Sequence, residues 1–496
     1  MNILLVLIDS LNRHQLAAYG ATAAATPNLS AFARKAWRMD NHFVGSLPCM
    51  PARREIFSGT QEFMKRPWGP LEPFDQRLPR LVEQQGYTTA IVTDHYHYWE
   101  EAANGYVQSF SSTEFIRGHE LDYWQPLPAD DDALPDWVEN IERWRPGQGR
   151  RYYANVKQFR GEEDFFPAKV MSGAASWLRK HATARRPFFL QVESFDVHEP
   201  FHTPEPYASL YGNGNERDIF TLWPPYQDSN QLARFMQATS REELGFIRAQ
   251  YLGKLTMVDT WFGKLLQTLD QLDLWKDTMI IVTTDHGHDL GERGAFGKQY
   301  PHFDSHANIP LLVWHPQYPG NGRSLSALTT TIDLFATVLD AVGITVAPDS
   351  TISRSMLPLL AGTTNSLHEA LLYGTFGQGV CCTDGEWTLF KSPEQDGPLY
   401  YYSSMIMPGT TSSRLSNIEY GHYLPNVDVP LWRVPKKIEP LSRENFLFQR
   451  RKDPHQEQNL WLKDLGQQKR MLDLLHTLLE QATTPAEQYT RLGLVR

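Results

Sequence analysis

Residues 49–60 read CMPARREIFSGT, a short stretch that combines a lone thiol with basic side chains. Cys49 is followed by Pro51 and then by the basic pair Arg53 and Arg54. Because proline disfavours helix at the residue before it, we expect Cys49 in a short loop, with a helix beginning close behind it. Positive groups near a helix N-terminus lower the pKa of a thiol and attract oxyanions. The stretch therefore predicts a reactive thiol in an electropositive site.

The whole string, C-x-P-x-R followed by x-x-I-x-S-G, resembles the sulfatase signature, whereas a cysteine taken alone is more often a small buried apolar residue. The resemblance implies that a formylglycine-generating enzyme converts Cys49 to formylglycine, an aldehyde whose hydrate is the catalytic nucleophile. Ala52 stands where the family most often has serine. The resemblance also implies an alkaline phosphatase-like α/β fold, with a large, mostly parallel central sheet flanked by helices and a smaller C-terminal α+β subdomain.

Two acidic motifs follow runs of buried, apolar residues. Asn2–Ile8 is typical of a strand that is buried on both faces of a parallel sheet, and Asp9 follows it directly. A second apolar run precedes Asp285 and His286. Ligand sites in open α/β sheets gather at the carboxyl ends of strands, and an adjacent carboxylate and imidazole in a tight turn can reach one cation. We expect these side chains to lie together.

By resemblance to the family, Asp9, Asp285, His286 and the modified Cys49 would hold one divalent cation. Ca²⁺ is the ion that the resemblance implies. Ser10 stands where a second acidic ligand is common, and together with the imidazole ligand this leaves Mn²⁺ and Mg²⁺ open.

Further residues resemble the sulfate-binding and acid–base positions of the family. His198 lies in a D-x-H-x-P-F segment, and Lys298 ends the flexible loop GERGAFGK. The resemblance implies that both bind oxygens of the substrate's sulfate and that Arg53 steadies the hydrate. His95 and His97 follow a predicted strand where many sulfatases carry Lys-x-His. Either imidazole could serve as the acid or base, and the sequence does not choose between them.

Periodicity places the remaining elements around these motifs. Helices are expected to begin at Pro27 and to cover residues 78–85, 168–181, 241–272 and 467–482, with further strands at 87–93, 187–194, 309–314, 370–373, 379–383 and 387–391. Residues 331–342 resemble a helix of the sulfatase family, and the resemblance implies a helix there. Residues 99–161 lack clean periodicity and are expected to form a long irregular excursion over the active-site face. We expect a catalytic domain over residues 1–370 and a C-terminal subdomain over residues 371–496, built from a small antiparallel sheet and a helix.

Composition limits the partners of the protein. A net charge of −10 argues against binding nucleic acid or coating a polyanion, so an anionic substrate must meet a local cluster of positive groups. A small sulfated molecule, such as a sulfated sugar, fits this better than a polymer. Three cysteines, two of them adjacent, cannot build a disulfide framework. No apolar run is long enough to cross a membrane, so we expect a soluble, cytoplasmic protein.

The sequence is compatible with three functions. Hydrolysis of a sulfate monoester comes first, because the motifs and their order resemble the sulfatases. Hydrolysis of a phosphonate monoester or phosphodiester comes second, since such relatives share the modified cysteine, the Asp-His metal pair and a non-acidic residue at the position of Ser10. An oxyanion-binding pseudoenzyme, in which Cys49 stays a thiol, is the third.

Overall fold

The apolar runs of the sequence form strands. The computed structural model describes residues 1–100, 103–129, 132–212, 214–226, 229–294, 296–346, 351–406 and 417–495. The strands are, in chain order, β1 (Asn2–Ile8), β2 (Trp37–Phe43), β3 (Ser46–Leu47), β4 (Thr88–Thr93), β5 (Ser112–Phe115), β6 (Phe188–Ser194), β7 (Thr278–Thr283), β8 (Asp289–Leu290), β9 (Phe296–Gly297), β10 (Leu311–Trp314), β11 (Ser324–Thr330), β12 (Leu371–Thr375), β13 (Val380–Thr383), β14 (Trp387–Lys391), β15 (Tyr400–Ser403), β16 (Glu419–Gly421), β17 (Leu431–Pro435) and β18 (Phe446–Gln449).

The α-helices of the described residues are α1 (Pro27–Lys35), α2 (Cys49–Ser58), α3 (Leu78–Gln84), α4 (Asp136–Glu142), α5 (Gln148–Val156), α6 (Phe166–His181), α7 (Ser229–Ala238), α8 (Arg241–Gln271), α9 (Asp304–Ala307), α10 (Asp333–Ala341), α11 (Leu357–Leu360), α12 (Leu465–Gln481) and α13 (Ala486–Arg491). Among the described residues, no helix is both long and apolar enough to span a lipid bilayer.

A large sheet forms the centre of the molecule, and its strand order is β11-β2-β10-β7-β1-β6-β4-β5. Within the described part of the chain, β10 runs antiparallel to both of its neighbours and the other pairs in this sheet are parallel. The predicted α/β class with a mostly parallel central sheet is therefore confirmed. The parallel order also brings the carboxyl ends of β4, β6, β1 and β7 to one edge, where ligand sites are expected.

Strand β1 explains why helices cover both faces of this sheet. Its side chains alternate between two apolar clusters, because successive residues of a strand point to opposite faces. Leu4 and Val6 join the cluster that contains residues of α1, α6 and α8, whereas Ile3 and Leu5 join the cluster that contains residues of α2, α3 and α10. A strand that must be apolar on both faces reads as a continuous apolar run.

The structure corrects the expectation that residues 99–161 are irregular, because this segment contains β5, α4 and α5. Strand β5 lies at the edge of the central sheet and pairs only with β4 among the described strands. Most of its side chains are exposed, so it lacks the apolar alternation by which a half-buried strand is recognised. Residues 101–102 and 130–131 of this predicted segment lie outside the described residues.

A smaller sheet with the order β18-β14-β13-β12-β3 contains the predicted C-terminal strands. Helix α12 packs on it through Met471, Leu475 and Leu479. Strand β3 joins this sheet from the N-terminal part of the chain, by parallel pairing with β12. The small sheet therefore extends to the residues that lead into Cys49, and the boundary at residue 370 stays a prediction.

Candidate active site

Three buried carboxylates meet at the carboxyl edge of the central sheet. Asp9 follows β1, Glu193 lies near the end of β6, and Asp285 follows β7. The parallel register sets Ile8 beside Ser194, and the amide of Asp9 donates to the carbonyl of Ser194 at 2.9 Å. Adjacent parallel strands thus fix where these acidic side chains stand.

Helix α2 brings the thiol to the same edge, but its first residue corrects the sequence prediction. The helix begins at Cys49 itself, so Cys49 does not lie in a loop before it. Pro51 fits because it lies in the first turn, where a backbone N–H has no partner within the helix. Arg53 follows one turn later, and its Nη1 donates to the carbonyl oxygen of Cys49 at 2.9 Å.

The Arg53 guanidinium joins the three carboxylates. Its Nη2 lies 2.9 Å from Asp9 Oδ2, its Nη1 2.5 Å from Asp285 Oδ2 and its Nε 2.5 Å from Glu193 Oε1. All four side chains are fully buried. One guanidinium leaves this cluster short of positive charge, since three carboxylates surround it. Burial and the adjacent Asp285 accordingly raise the pKa of Asp9 well above its usual value.

The donor atoms of Asp9, Cys49, Asp285 and His286 fit a metal ion. These atoms all lie within 4.8 Å of one another. Ligands on opposite sides of a cation stand about 4 to 5 Å apart, which is twice a bond length of about 2.0 to 2.6 Å. A divalent cation would also supply the positive charge that the carboxylates lack, because buried charges are stable when they are paired or coordinate a metal.

The imidazole of His286 is arranged as a ligand. Its Nδ1 lies 2.9 Å from the carbonyl oxygen of Gly287, so we assign the proton to Nδ1 and the lone pair to Nε2. Burial lowers the pKa of His286 to about 4, which keeps the ring neutral. Nε2 faces Cys49 Sγ at 3.1 Å. Gly287 is required in this turn, because a Cβ there would lie 2.1 Å from the carbonyl oxygen of Ser305.

The structure also corrects the expectation that the pKa of the Cys49 thiol is low. Burial and the Asp9 carboxylate raise the pKa of Cys49 well above its usual value, although Lys298 opposes them. The sequence shows the arginines beside Cys49 but not the acidic side chains that fold against it. An unmodified Cys49 is therefore a poor nucleophile in this site.

A cavity of about 320 Å³ opens over Cys49. Cys49, His97, His198 and Lys298 all line it. Lys298 Nζ lies 3.8 Å from Cys49 Sγ. The thiol thus stands between the carboxylate cluster on one side and a cavity with a cationic side chain on the other. Residue 295 of the loop that carries Lys298 lies outside the described residues.

The two candidate acid–base histidines occupy different places. His97 lines the cavity, and its ring meets the Trp68 ring edge-on at 4.7 Å. His95 is fully buried behind it, with Nε2 3.7 Å from Asp9 Oδ2 and the ring 4.4 Å from that of Phe195. Neither nitrogen of His95 makes a hydrogen bond among the described residues. Burial and the Arg53 charge lower the pKa of His95 well below its usual value.

A match to a protein-family model decides which family this arrangement represents. The model described as Sulfatase matches residues 1–344, more than half of the chain. The chain belongs to the sulfatase family. It is accordingly an enzyme, a hydrolase of sulfuric esters, as the resemblance of the motifs predicted.

Relatives of this sulfatase differ in what their names say they hydrolyse. Multifunctional alkaline phosphatase superfamily protein PehA of Trinickia caryophylli is 27% identical over 402 residues, which cover 73% of this chain and 77% of that protein. Choline-sulfatase of Rhizobium meliloti (strain 1021) is 23% identical over 404 residues, which cover 78% and 77%. The structure of phosphonate monoester hydrolase of Agrobacterium radiobacter has a TM-score of 0.67 at 19% identity, covering 98% of this chain and 96% of that chain. The last likeness shows a shared fold.

Sequence reasoning missed two residues that support the sulfatase site. Glu193 was detectable, because an acidic residue inside the apolar run of β6 needs a buried partner. Lys254 lies on α8 with apolar residues that the sequence correctly assigns to the core. Its Nζ donates to the carbonyl oxygens of His198 at 2.8 Å and Pro200 at 2.7 Å, and it pairs with Asp196. Lys254 therefore fixes the segment that presents His198.

We expect Lys254→Met to destabilise the fold by about 3–5 kcal/mol, because it leaves the Asp196 carboxylate buried with one cationic partner fewer. The matched control is Lys264→Met on the same helix, where the side chain is 45% exposed and lies 3.6 Å from Glu162. That change should cost about 0.5 kcal/mol or less. Denaturant unfolding of both variants measures the difference. Equal losses would show that Lys254 does not hold the His198 segment.

Proposed function

We propose that this chain hydrolyses a sulfate monoester, with Cys49 converted to formylglycine as the nucleophile and one divalent cation held by Asp9, Asp285 and His286. The observation that carries the proposal is the convergence at Cys49. Three potential metal ligands surround its sulfur on the buried side, and Lys298 faces it from the cavity at 3.8 Å. Sγ stands at the position that the hydroxyl oxygens of the aldehyde hydrate would take.

Each group would supply one part of the chemistry. The hydrate offers two hydroxyls on one carbon, one to attack sulfur and one to expel sulfate, which a serine or cysteine lacks. The cation would lower the pKa of the attacking hydroxyl and bind a sulfate oxygen. Lys298 would hold another oxygen, and a cation about 4 Å from an anionic oxygen is worth on the order of 4 kcal/mol at an effective dielectric near 20. Arg53 would keep the ligand carboxylates in place.

His198 would orient the ester from the cavity wall. Its Nδ1 lies 2.7 Å from the carbonyl oxygen of Glu199, so Nε2 is the free nitrogen of the ring. Burial lowers the pKa of His198 to about 3 in the free protein. An anionic ester beside Nε2 would favour the protonated ring, and that proton would bind a sulfate oxygen.

We propose that His97, rather than His95, protonates the departing alcohol. Burial opposes a charged ring, but Glu100 and Glu120 outweigh it and raise the pKa of His97 above its usual value. His97 Nδ1 lies 2.7 Å from Glu100 Oε2, and Nε2 lies 3.4 Å from Glu120 Oε2. The raised pKa of His97 favours the protonated ring at the cavity wall, whereas the lowered pKa of His95 favours the neutral ring behind it.

We propose Mn²⁺ as the bound ion in place of the Ca²⁺ that the resemblance implies. Ca²⁺ takes six to eight oxygen ligands, but one of the ligands here is the imidazole of His286. Ser10 Oγ donates to Asp9 Oδ1 at 2.7 Å, so it supports a ligand carboxylate. A mixed set of carboxylates and one imidazole suits a first-row transition ion better than Ca²⁺ or Mg²⁺.

A second candidate function is hydrolysis of a phosphonate monoester or phosphodiester. The observation that favours it is the ligand set, since Ser10 stands where the commoner sulfatase site has a second acidic ligand and His286 supplies an imidazole. The likeness in fold to a phosphonate monoester hydrolase is compatible with this function. Sulfated sugars and other small sulfate esters remain the proposed substrates of the first function, and a cytoplasmic location stays a prediction.

The test of the function begins with the peptide that contains Cys49, from protein made in a host with formylglycine-generating activity. We expect an aldehyde in its mass spectrum, and we expect faster turnover of para-nitrophenyl sulfate than of phenylphosphonate or phosphodiester analogues. Cys49→Ala is the control and should lose turnover of all three. An intact thiol in a host that converts another sulfatase would support the pseudoenzyme, and faster phosphonate turnover would support the second candidate.

Metal preference is tested on protein stripped with a chelator. Mn²⁺ should raise the midpoint of thermal unfolding more than Ca²⁺ does at equal concentration. At one hundred times its Kd, an ion that binds only the folded state stabilises the protein by about 2.7 kcal/mol relative to the stripped protein. In His286→Asp, which replaces the imidazole with a carboxylate, the preference should move towards Ca²⁺. A wild-type protein that Ca²⁺ stabilises more than Mn²⁺ would contradict the proposed ion.

The pH profile tests His97. Because the protonated ring is the active form and its pKa is raised, turnover of alkyl sulfates should be full below that pKa and fall as pH rises through it. His97→Gln should lose this decline and lose about 10²- to 10⁴-fold in kcat for alkyl sulfates. Para-nitrophenyl sulfate should lose far less, because its leaving group needs no proton. Equal losses for both esters would exclude His97 as the acid.

A further inference from the structure

The cavity over Cys49 contains an acidic side chain that the proposed hydrolysis does not need for binding sulfate. Glu120 lines the cavity together with Lys298, and its side chain is only 4% exposed. Its Oε2 makes no hydrogen bond among the described residues. No lysine or arginine of the described residues forms an ion pair with Glu120. The imidazole of His97 does contact it, with Nε2 3.4 Å from Glu120 Oε2. Glu120 therefore brings a buried carboxylate to the wall of the space that a substrate must enter.

The segment that carries Glu120 is held rigidly. Arg117 Nη2 lies 2.6 Å from Asp122 Oδ1, and the amide of Gly118 donates to Asp122 Oδ2 at 2.7 Å. His119 Nε2 lies 2.8 Å from Asp196 Oδ1, in the segment that also carries His198. The backbone of Glu120 has φ 46°, in the left-handed region that residues other than glycine rarely adopt. These contacts fix the carboxylate in the cavity wall before any ligand binds.

The negative charge of Glu120 is only partly balanced. His97 is shared between Glu100, at 2.7 Å, and Glu120, so one imidazolium faces two carboxylates. Burial would favour a neutral Glu120, but His198 and His97 outweigh it and lower its pKa to about 2. Glu120 is thus ionised at neutral pH. An anion such as sulfate would be repelled here, whereas a cation would complete the pairing.

Aromatic rings surround the same space. Trp68, Tyr96, Tyr226 and Tyr300 line the cavity with Glu120. Aromatic faces attract cations, most strongly where water is excluded, and several rings beside a carboxylate bind quaternary ammonium groups. A hydroxyl could donate a hydrogen bond to Glu120, but it would bring no positive charge to the carboxylate. The combination of rings and carboxylate favours a cationic ligand.

We propose that the alcohol part of the substrate carries a cationic group, which binds between Glu120 and the aromatic rings while the sulfate binds at Lys298 and Cys49. The substrate class is then a small zwitterionic sulfate ester, such as an ammonioalkyl sulfate. A cavity of about 320 Å³ accommodates such a molecule. This inference rests on the proposed sulfate ester hydrolysis and names the substrate class of that site.

The test compares two esters of the same shape. Choline O-sulfate carries a quaternary nitrogen, and tert-butylethyl sulfate carries carbon in its place. We expect kcat/KM to favour choline O-sulfate by about 10- to 100-fold, as a cation between rings and a buried carboxylate should. In Glu120→Gln the ratio of the two values should fall close to one. Using the ratio removes any effect of the variant that both esters share.

Glu100→Gln is the matched control, because Glu100 contacts the same His97 but does not line the cavity. Its ratio should stay near that of the wild type. A wild-type ratio near or below one, or an equal fall in Glu100→Gln and Glu120→Gln, would overturn the proposal. Thermal unfolding of both variants checks that each is folded.

Two readouts separate this proposal from the proposed function. Turnover of para-nitrophenyl sulfate reports sulfate ester hydrolysis without a cationic group. Calorimetric binding of the two alkyl esters reports the cation site without turnover. Hydrolysis of para-nitrophenyl sulfate with equal binding of both alkyl esters would overturn the substrate class alone. Preferred binding of choline O-sulfate that is lost in Glu120→Gln would support the cation site even in a protein that hydrolyses no sulfate ester.

Discussion

The interaction on which the structure depends is the contact of one guanidinium with three buried carboxylates. Asp9, Glu193 and Asp285 come from three adjacent parallel strands, and Arg53 reaches all of them from the first turns of α2. Removing one member of such a cluster leaves an uncompensated buried charge, which typically costs about 3–5 kcal/mol. The same guanidinium positions the ligand oxygens of Asp9 and Asp285, and it also contacts the carbonyl oxygen of Cys49. Stability and the geometry at Cys49 therefore share one set of atoms.

Much of this arrangement follows from local sequence patterns. The continuous apolar runs of β1 and β7 indicate parallel strands, and in such a sheet their carboxyl ends meet at one edge. That rule alone brings Asp9 to Asp285 and His286, as the structure has them. The sheet class and the cluster of potential ligands around Cys49 were thus within reach of the sequence, because each depends on one strand and the residue that follows it.

What could not be predicted depends on partners from distant parts of the chain. The electropositive surroundings expected for Cys49 came from its neighbours in sequence, whereas the pKa of its thiol is raised by burial and by Asp9, forty residues away in the sequence. The roles of His95 and His97 were open for the same reason. Only the fold shows that His97 lines the cavity beside Glu120 and that His95 packs behind it on Phe195.

The charges of the site also indicate which esters it can accept. Asp9, Glu193 and Asp285 contribute three negative charges, and Arg53 with the proposed divalent cation contributes three positive ones. Lys298 then supplies one further positive charge at the cavity floor, beside Cys49. A sulfate monoester carries one negative charge, which Lys298 would balance. Phosphonate monoesters and phosphodiesters carry the same charge, so they compete on equal electrostatic terms, whereas the dianion of a phosphate monoester would leave an excess.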